Sequence, residues 1–366
     1  MRFTISRDLL IKPLQTVSGV VEKRQTLPIL SNILLQVGSD RLSMTGTDLE
    51  VELVASVALD NATPGEITLP GRKFMDICKA LPENALIELA VDSDKAMLKA
   101  GKSRFTLLTL PATDYPATEA IKGSHQFVLS QKQLKSLIDQ TQFSMANQDV
   151  RYYLNGLLLE IENGSIRMVA TDGHRLALSE ISTDIAIGDK RQVIIPRKGV
   201  LELSRLLATD DTPCTIQLNQ NHIRISLGDT IFTSKLVDGR FPDYERVIPK
   251  GGDKVIRANR MILKDGLQRT AILSNEKYRG IRLTFKNNTL IASVNNPEHE
   301  EAEDELPIEY TGQELEIGFN VSYLLDVLNV IKQEEVEIVL ADSSSSCLMM
   351  GAGDAASRYV VMPMRL

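Results

Sequence analysis

Cysteine is scarce in this 366-residue chain, and what there is argues against two common scaffolds. Cys78, Cys214 and Cys347 lie far apart, are odd in number and form no CxxC pair, which speaks against a disulfide framework and against a zinc site. A reducing compartment is the expectation. Long apolar runs are missing too: no segment approaches the roughly 18 consecutive apolar residues that span a bilayer, so no membrane partner is expected. The opening MRFTISRDLL alternates apolar and polar residues and reads as a strand, not a signal peptide, which points to a cytoplasmic protein. Catalytic signatures are equally sparse. No G-x-S-x-G, HExxH or calcium-loop spacing occurs, and the GKS of AGKSRF has Ala96 where a phosphate-binding loop needs glycine and leads into a strand. The run NPEHEEAEDE reads as a solvated acidic strand or loop, so neither a metal nor a cofactor is expected. A net positive charge is also absent. The formal charge is -7, whereas DNA binders gain affinity by replacing counterions with lysine and arginine.

With 43% apolar and 24% charged residues, the length suits two to three domains of about 100–200 residues each. An internal repeat divides it further. LPILSNILLQVGSDRLSMTGTDL, residues 27 to 49, lies without gaps over RYYLNGLLLEIENGSIRMVATDG, residues 151 to 173, so that Leu30 meets Leu154, Met44 meets Met168 and Thr47-Asp48 meets Thr171-Asp172. The same offset again reaches NEKYRGIRLTFKNNTLIASVNNP, residues 275 to 297. Three similar domains are expected, 1–124, 125–253 and 254–366, with polar joints at IKGSHQ and PKGGDK.

Each repeat divides once more, into a helical pattern followed by alternating strands, twice over. Helical spacing joins Phe74, Ile77, Cys78 and Leu81, then Leu134, Leu137, Ile138 and Thr141, then Leu324, Val327, Leu328 and Ile331, and similar helices begin near Arg7, Arg197 and Arg260. Strands of period two run between them. The fold class is therefore α+β, with two helices per domain packed on antiparallel sheet. The six helical windows, 6–24, 71–81, 130–142, 196–208, 258–275 and 320–333, carry 16 Lys and Arg against 7 Asp and Glu, while the rest of the chain carries 25 against 41. Solvated lysine-rich helices give such a count, and so does a fold that turns equivalent helices one way to build a positive surface for phosphates. The repeat favours the second.

ATDGHRLA, residues 170 to 177, gathers Asp172, His174 and Arg175 in a chain of four histidines. Catalysis would need a nucleophile brought near by the fold, and Ser or Thr could serve. The other repeats, however, place TDLEVEL and NNPEHEE at this point, so the segment reads as a structural turn elaborated in one copy.

The threefold repeat together with TLPILSN, QDVRYYLNG, ATDGHRLA, IIPRKG, SKLVDGRFPDY, AILSNEKYRG, IGFNVSY and the terminal YVVMPMRL resembles the bacterial DNA polymerase III beta subunits, the sliding clamps, over essentially the whole chain. The resemblance implies a head-to-tail homodimeric ring of six similar subdomains, with helices around duplex DNA and no enzymatic activity. It implies DNA contacts at Arg24, Arg72, Gln148, Tyr152 and Tyr153, with Lys198 added from the basic PRKG turn. Arginine and glutamine suit phosphate oxygens, and exposed tyrosine suits a base or sugar at a primed junction. If the two tyrosines lie on a strand, one must face away from the core.

It also implies a groove for short peptides of the replicative polymerase, the clamp loader, and other polymerases and repair proteins. One wall would come from Arg151, Leu154, Thr171, Gly173, His174, Arg175 and Leu176. Pro242, Arg246 and Val247 would follow, then Asn320, Tyr323 and Ser346, and finally Val360, Val361, Met362, Pro363, Met364 and Arg365. Methionine suits an adaptable apolar surface, and Ser344 stands where an apolar wall residue is expected. Phe105, Ile272 and Leu273 are expected in the joint between two copies. The competing readings are a protein that binds DNA sideways through one basic face and, behind it, a hydrolase.

Overall fold

In a computed structural model, which describes residues 1–21, 27–116 and 125–365, the chain repeats one motif six times: a strand, a helix and three strands. The first two segments run β1 (Arg2–Ser6), α1 (Arg7–Ser18), β2 (Asn32–Val37), β3 (Arg41–Thr47), β4 (Val51–Ala58), then β5 (Gly65–Pro70), α2 (Gly71–Ala80), β6 (Leu86–Asp92), β7 (Lys95–Ala100), β8 (Ser103–Leu108). The next two run β9 (His125–Ser130), α3 (Gln131–Asp139), β10 (Gly156–Glu162), β11 (Ser165–Thr171), β12 (Arg175–Ser182), then β13 (Arg191–Pro196), α4 (Arg197–Leu206), β14 (Pro213–Leu218), β15 (His222–Leu227), β16 (Thr230–Lys235). The last two run β17 (Lys254–Asn259), α5 (Arg260–Thr270), β18 (Gly280–Lys286), β19 (Thr289–Asn295), β20 (Glu301–Pro307), then β21 (Leu315–Asn320), α6 (Val321–Val330), β22 (Glu335–Leu340), β23 (Cys347–Gly351), β24 (Ser357–Val361). All six expected helices are present. Arg24 and most of the joint expected at 121–126 fall outside the described residues.

Local chemistry accounts for the helix starts. The side chains of Ser6, Asn259 and Asn320 accept first-turn backbone N–H groups of α1, α5 and α6, satisfying donors that have no partner inside the helix. The apolar stripes face inward as the spacing requires. Leu134, Leu137, Ile138 and Thr141 are all buried, the Thr141 hydroxyl donating to the Leu137 carbonyl at 2.6 Å, and so are Leu324, Val327, Leu328 and Ile331. On α2 the stripe is Phe74, Met75 and Cys78, with Ile77 only half-buried.

The segments exchange their leading strands in pairs. In each four-strand set, the strand before one helix pairs with the three strands after the other: β1-β6-β7-β8 and β5-β2-β3-β4, β9-β14-β15-β16 and β13-β10-β11-β12, β17-β22-β23-β24 and β21-β18-β19-β20. The folded chain forms two compact units. One comprises Met1–Lys135 with Lys198–Leu236, the other Ser136–Arg197 with Val237–Leu366. In the first, β4 pairs with β16 to fuse two sets into an eight-stranded antiparallel sheet, from Ala55 opposite Thr230 to Val51 opposite Ser234. Its helix α1 lies close on β3, where a Cβ at Gly46 would sit 2.4 Å from the Val17 carbonyl oxygen. In the second unit β12 pairs with β24, from Arg175 opposite Val361 to Ser179 opposite Ser357, fusing another eight-stranded sheet. There α5 packs on β19 and β20 and against α6, over a core that includes Phe285, Phe319, Leu328 and Tyr359.

The last strand of every set is thus the joining strand. Four of the six, β4, β16, β12 and β24, are joined. Among the described residues, β8 and β20 each keep an outer edge with no strand beside it.

Candidate functional site

The DGHR turn between β11 and β12 is built by its own side chains. Asp172 Oδ1 accepts the backbone N–H groups of His174 (2.9 Å) and Arg175 (3.0 Å), while the Thr171 hydroxyl donates to the Arg175 carbonyl (2.6 Å) and accepts from Gly173 N–H (3.1 Å). Gly173 has φ 89°, a left-handed conformation favouring glycine, and a Cβ there would lie 3.0 Å from an Arg151 guanidinium nitrogen. The Asp172 carboxylate also accepts from Arg175 Nε at 3.1 Å. Its hydrogen bonds among the described residues hold the turn, and none of them goes to the exposed His174 imidazole.

Arg175 is the bolt of the site. Its guanidinium donates to Asp326 of α6 at 2.5 Å and to the Phe143 carbonyl at 2.7 Å, and stacks 4.5 Å from the Tyr323 ring centroid. Only 12% of the side chain is exposed. Arg175 therefore fixes the turn against α6, with each of its three guanidinium nitrogens already donating. The sequence offered no signal for Asp326 or Phe143, because the contacts span 151 and 32 residues.

The tail after β24 is fastened, not frayed. Met362 N–H donates to the His174 carbonyl (2.9 Å) and Met364 N–H to the Gly318 carbonyl (2.8 Å). Of the expected wall residues, Leu154, Thr171, Leu176, Val360 and Val361 are buried, while His174, Pro242, Arg246, Met362 and Arg365 are exposed. Leu176 and Val360 share one apolar cluster with Phe241 and Tyr244, on which Val247, Tyr153 and Leu348 pack. Arg151 is clamped by both Asp149 oxygens (3.0 and 2.9 Å) and donates to the Asp172 carbonyl (3.2 Å). These bonds hold the Asp149 carboxyl down to about 2. Arg246 pairs with Asp243, and Asn320, besides capping α6, donates to the Tyr278 carbonyl. Tyr323, Pro363, Met364 and Ser346 are half-buried, and the exposed Ser344 is tied to Asp342 by its backbone N–H and its hydroxyl, both at 2.8 Å.

The first unit contains the same frame with other side chains. Asp48 caps Glu50 and Val51, the Thr47 hydroxyl donates to the Val51 carbonyl, and Lys235 N–H donates to the Glu50 carbonyl as Met362 does to His174. Leu49, at φ 77° and 41% exposed, takes the place of Gly173, and the fully buried Val51 takes that of Arg175. Among the described residues, a glycine turn, an arginine bolt and a fastened tail occur together only in the second unit.

The residues expected to touch DNA are mostly exposed. Arg72 of α2 is 67% exposed, beside Asp76. Gln148 projects from a left-handed backbone (φ 58°). Lys198 pairs with Asp48. Tyr152 and Tyr153 are not on a strand: they open a one-turn 3-10 helix, Tyr152–Leu154, which follows a loop held by Asn155 side-chain bonds to the Asp149 backbone. They still divide, Tyr152 being 56% exposed and Tyr153 packing on the apolar cluster. Phe105 lies within β8 and is half-buried, Ile272 is 76% exposed, and Leu273 packs on the core of the second unit.

The chain matches the family of the DNA polymerase III beta subunit along its length: the N-terminal domain over residues 1–119, the central domain over 128–243 and the C-terminal domain over 245–365. It is 59% identical to the beta sliding clamp of Pseudomonas aeruginosa and 53% identical to that of Escherichia coli, each over 367 residues and all of both chains. It superposes on the crystal structure of the DNA polymerase III subunit beta from Pseudomonas aeruginosa with a TM-score of 0.98, and on the Bartonella birtlesii clamp bound to griselimycin with 0.96 at 39% identity, each covering all of both chains.

The Arg175 bolt makes a prediction about stability. Arg175→Ala strands Asp172 and Asp326 and should lower the unfolding free energy by about 2–3 kcal/mol. Arg175→Lys keeps the charge without the planar fork and should recover only part of it. Urea unfolding is the measurement; an alanine variant as stable as wild type contradicts the bolt.

Proposed function

This chain belongs to the DNA polymerase III beta subunit family, and from that premise we propose that it closes head to tail with a second copy into a ring around duplex DNA, holding the replicative polymerase there as a processivity factor. The observation that carries the ring is the pair of unjoined strands. Inside the chain, joints form only between last strands of four-strand sets, and β8 of the first repeat and β20 of the third are the two left over. A β8 edge of one copy beside a β20 edge of the other continues the same rule. Their charges agree with it. β20 presents Glu301, Glu303 and Glu305, whereas β8 presents Arg104 next to Lys95, Lys99 and Lys102. Charged edges resist pairing with their own kind, so β20 rejects β20 and accepts β8.

A closed ring needs no base readout. Arg72, Gln148, Tyr152 and Lys198, with Arg24, would touch phosphate or an unstacked base of primed DNA, and the net basic helices α1 to α5 supply the remaining positive surface. The repeats 1–124, 125–253 and 254–366 are taken as the three domains. The frame of His174, Arg175, Val247 and the tail Met362–Arg365 is read as a groove for amphipathic peptides of polymerases, clamp loader and repair proteins. The DGHR turn is read as structural, with no enzymatic role. Among the described residues no helix is long and apolar enough to cross a membrane, and the place of action is taken to be the cytoplasm, where bacterial DNA lies.

Three measurements test this reading. Loaded on a nicked circle, the protein should survive a high-salt wash and leave once the circle is cut; equal loss from circles and linear DNA points to a sideways binder, whose affinity falls steeply with salt. Ile272→Asp, which leaves the domain core intact, should yield folded monomers by sedimentation, since it removes a side chain whose burial contributes about 1.5–3 kcal/mol at each joint; a dimer at low concentration places the joint elsewhere. Deleting residues Met362 to Leu366 should abolish anisotropy-detected binding of an amphipathic polymerase peptide without changing the dimer mass, whereas His174→Ala should weaken binding modestly, as rim side chains do. Unchanged peptide affinity in the intact, dimeric deletion variant refutes the groove.

A further inference from the structure

The segment Val237–Ile248, which carries Pro242, Arg246 and Val247, contains no strand and only one helical turn, Tyr244–Arg246. Something must nevertheless hold it in one place if Pro242 and Val247 are to present a preformed wall. Its start is held by Val237 N–H donating to the Ile194 carbonyl at 2.9 Å, and its middle by two buried rings, Phe241 and Tyr244, on either side of the exposed Pro242-Asp243 pair. Apolar contact alone is non-directional and allows a loop to slide. Tyr244 adds direction. Its phenol donates to Glu160 Oε1 at 2.8 Å and also accepts from the Arg167 side chain, tying the segment to the sheet.

Glu160 is an unusual anchor. Its side chain is fully buried on β10, where an unpaired carboxylate would be strongly disfavoured. Four donors converge on it: Tyr244 and Arg167 (3.0 Å) on Oε1, Lys190 (2.9 Å) and Gln192 (2.6 Å) on Oε2. Three come from the sheet or its margin, with Arg167 and Gln192 directly opposite Glu160 in the strand register. Only Tyr244 arrives from the groove segment. Burial by itself would raise the Glu160 pKa, but the bonds from Gln192, Lys190, Tyr244 and Arg167 outweigh it and hold the carboxyl below its ordinary value. The acceptor is thus charged at neutral pH, and a bond to a charged acceptor is stronger than one between neutral groups. At the other end of the same residue, the Tyr244 carbonyl accepts Val247 N–H at 3.0 Å. The path from anchor to wall is therefore Glu160, Tyr244, Val247.

We propose that Tyr244 is a positioning residue of the peptide site: latched to the buried Glu160 carboxylate, it fixes the Phe241–Val247 segment so that Pro242 and Val247 stand ready before a partner arrives. The proposal rests on the groove reading above and specifies how that groove is kept preformed. Losing the latch leaves the wall residues in place chemically but lets the peptide-free segment wander, and affinity falls by the fraction of time the wall is out of register.

Tyr244→Phe removes one oxygen and keeps the ring packed. In anisotropy titrations with a fluorescein-labelled amphipathic peptide of the replicative polymerase, it should weaken binding about tenfold. Glu160→Gln, which leaves the phenol a neutral acceptor, should lose about threefold. Hydrogen exchange of residues 243 to 248 in the peptide-free protein should quicken in the same order, with the dimer mass unchanged. Val247→Ala should weaken binding more in wild type than in the Tyr244→Phe background, because the latch acts through Val247; a merely structural residue would give additive losses. Wild-type affinity in both latch variants, or additive losses, alongside a clear effect of Val247→Ala overturns the latch alone. No effect of Val247→Ala overturns the groove and the latch with it.

Discussion

An unpaired strand edge is a row of amide and carbonyl groups with nowhere to bond, and the architecture of this chain follows from how it treats six of them. Each four-strand set ends in a strand whose outer edge needs a partner. Pairing β4 with β16 and β12 with β24 satisfies four edges and, in doing so, builds the two eight-stranded sheets. That is why compact units do not coincide with sequence repeats: each large sheet draws strands from two repeats. The remaining edges, β8 and β20, cannot be satisfied by any further joint of this kind within one copy. Among the six last strands these two are left over, and they carry opposite charge, which would favour a head-to-tail partner over a head-to-head one.

Function is then a matter of what is hung on a repeated frame. The turns at residues 47–51 and 171–175 share their caps and their bond to the neighbouring strand, yet Leu49 stands where Gly173 lies against the Arg151 guanidinium, and Val51 cannot make the contacts of Arg175. After Lys235 the chain continues as Leu236 and Val237, whereas Met362 opens a segment fastened by the Met362 and Met364 amides. A single scaffold thus carries the proposed peptide site only where the side chains differ. The floor of the proposed groove belongs to the hydrophobic core through Leu176 and Val360, so it would inherit the rigidity of the sheet, while its outer wall would depend on a loop held by other means.

Much of this could be read in the sequence, because it is local or periodic. Helix faces such as Leu134, Leu137, Ile138 and Thr141 follow the 3.6-residue period, and the repeat brought Asp48 and Asp172 into line before either was seen to cap a turn. The exchange of leading strands was not legible, since alternation says that a segment is a strand and nothing about its neighbour. The same limit left the setting of Tyr152 and Tyr153 open: two tyrosines have high strand propensity, and the short helical turn follows a loop held by bonds between Asn155 and Asp149. Arg175 was expected at the groove from resemblance, but its contacts with Asp326 and Phe143 depend on residues far along the chain. Glu160 and Tyr244 left no trace in composition or spacing, because a buried carboxylate is recognisable only once its donors surround it.

The claim on which the rest stands is that β8 of one copy pairs with β20 of another. Amide hydrogen exchange across a dilution series tests it strand by strand, because edge amides exchange freely until a partner strand covers them. At concentrations where the particle has the mass of two chains, amides on the outer edges of Ser103–Leu108 and Glu301–Pro307 should be protected together, and both should lose protection together as the dimer dissociates, while β4, β12, β16 and β24 stay protected throughout. Free exchange at either edge in a particle of dimeric mass contradicts the account.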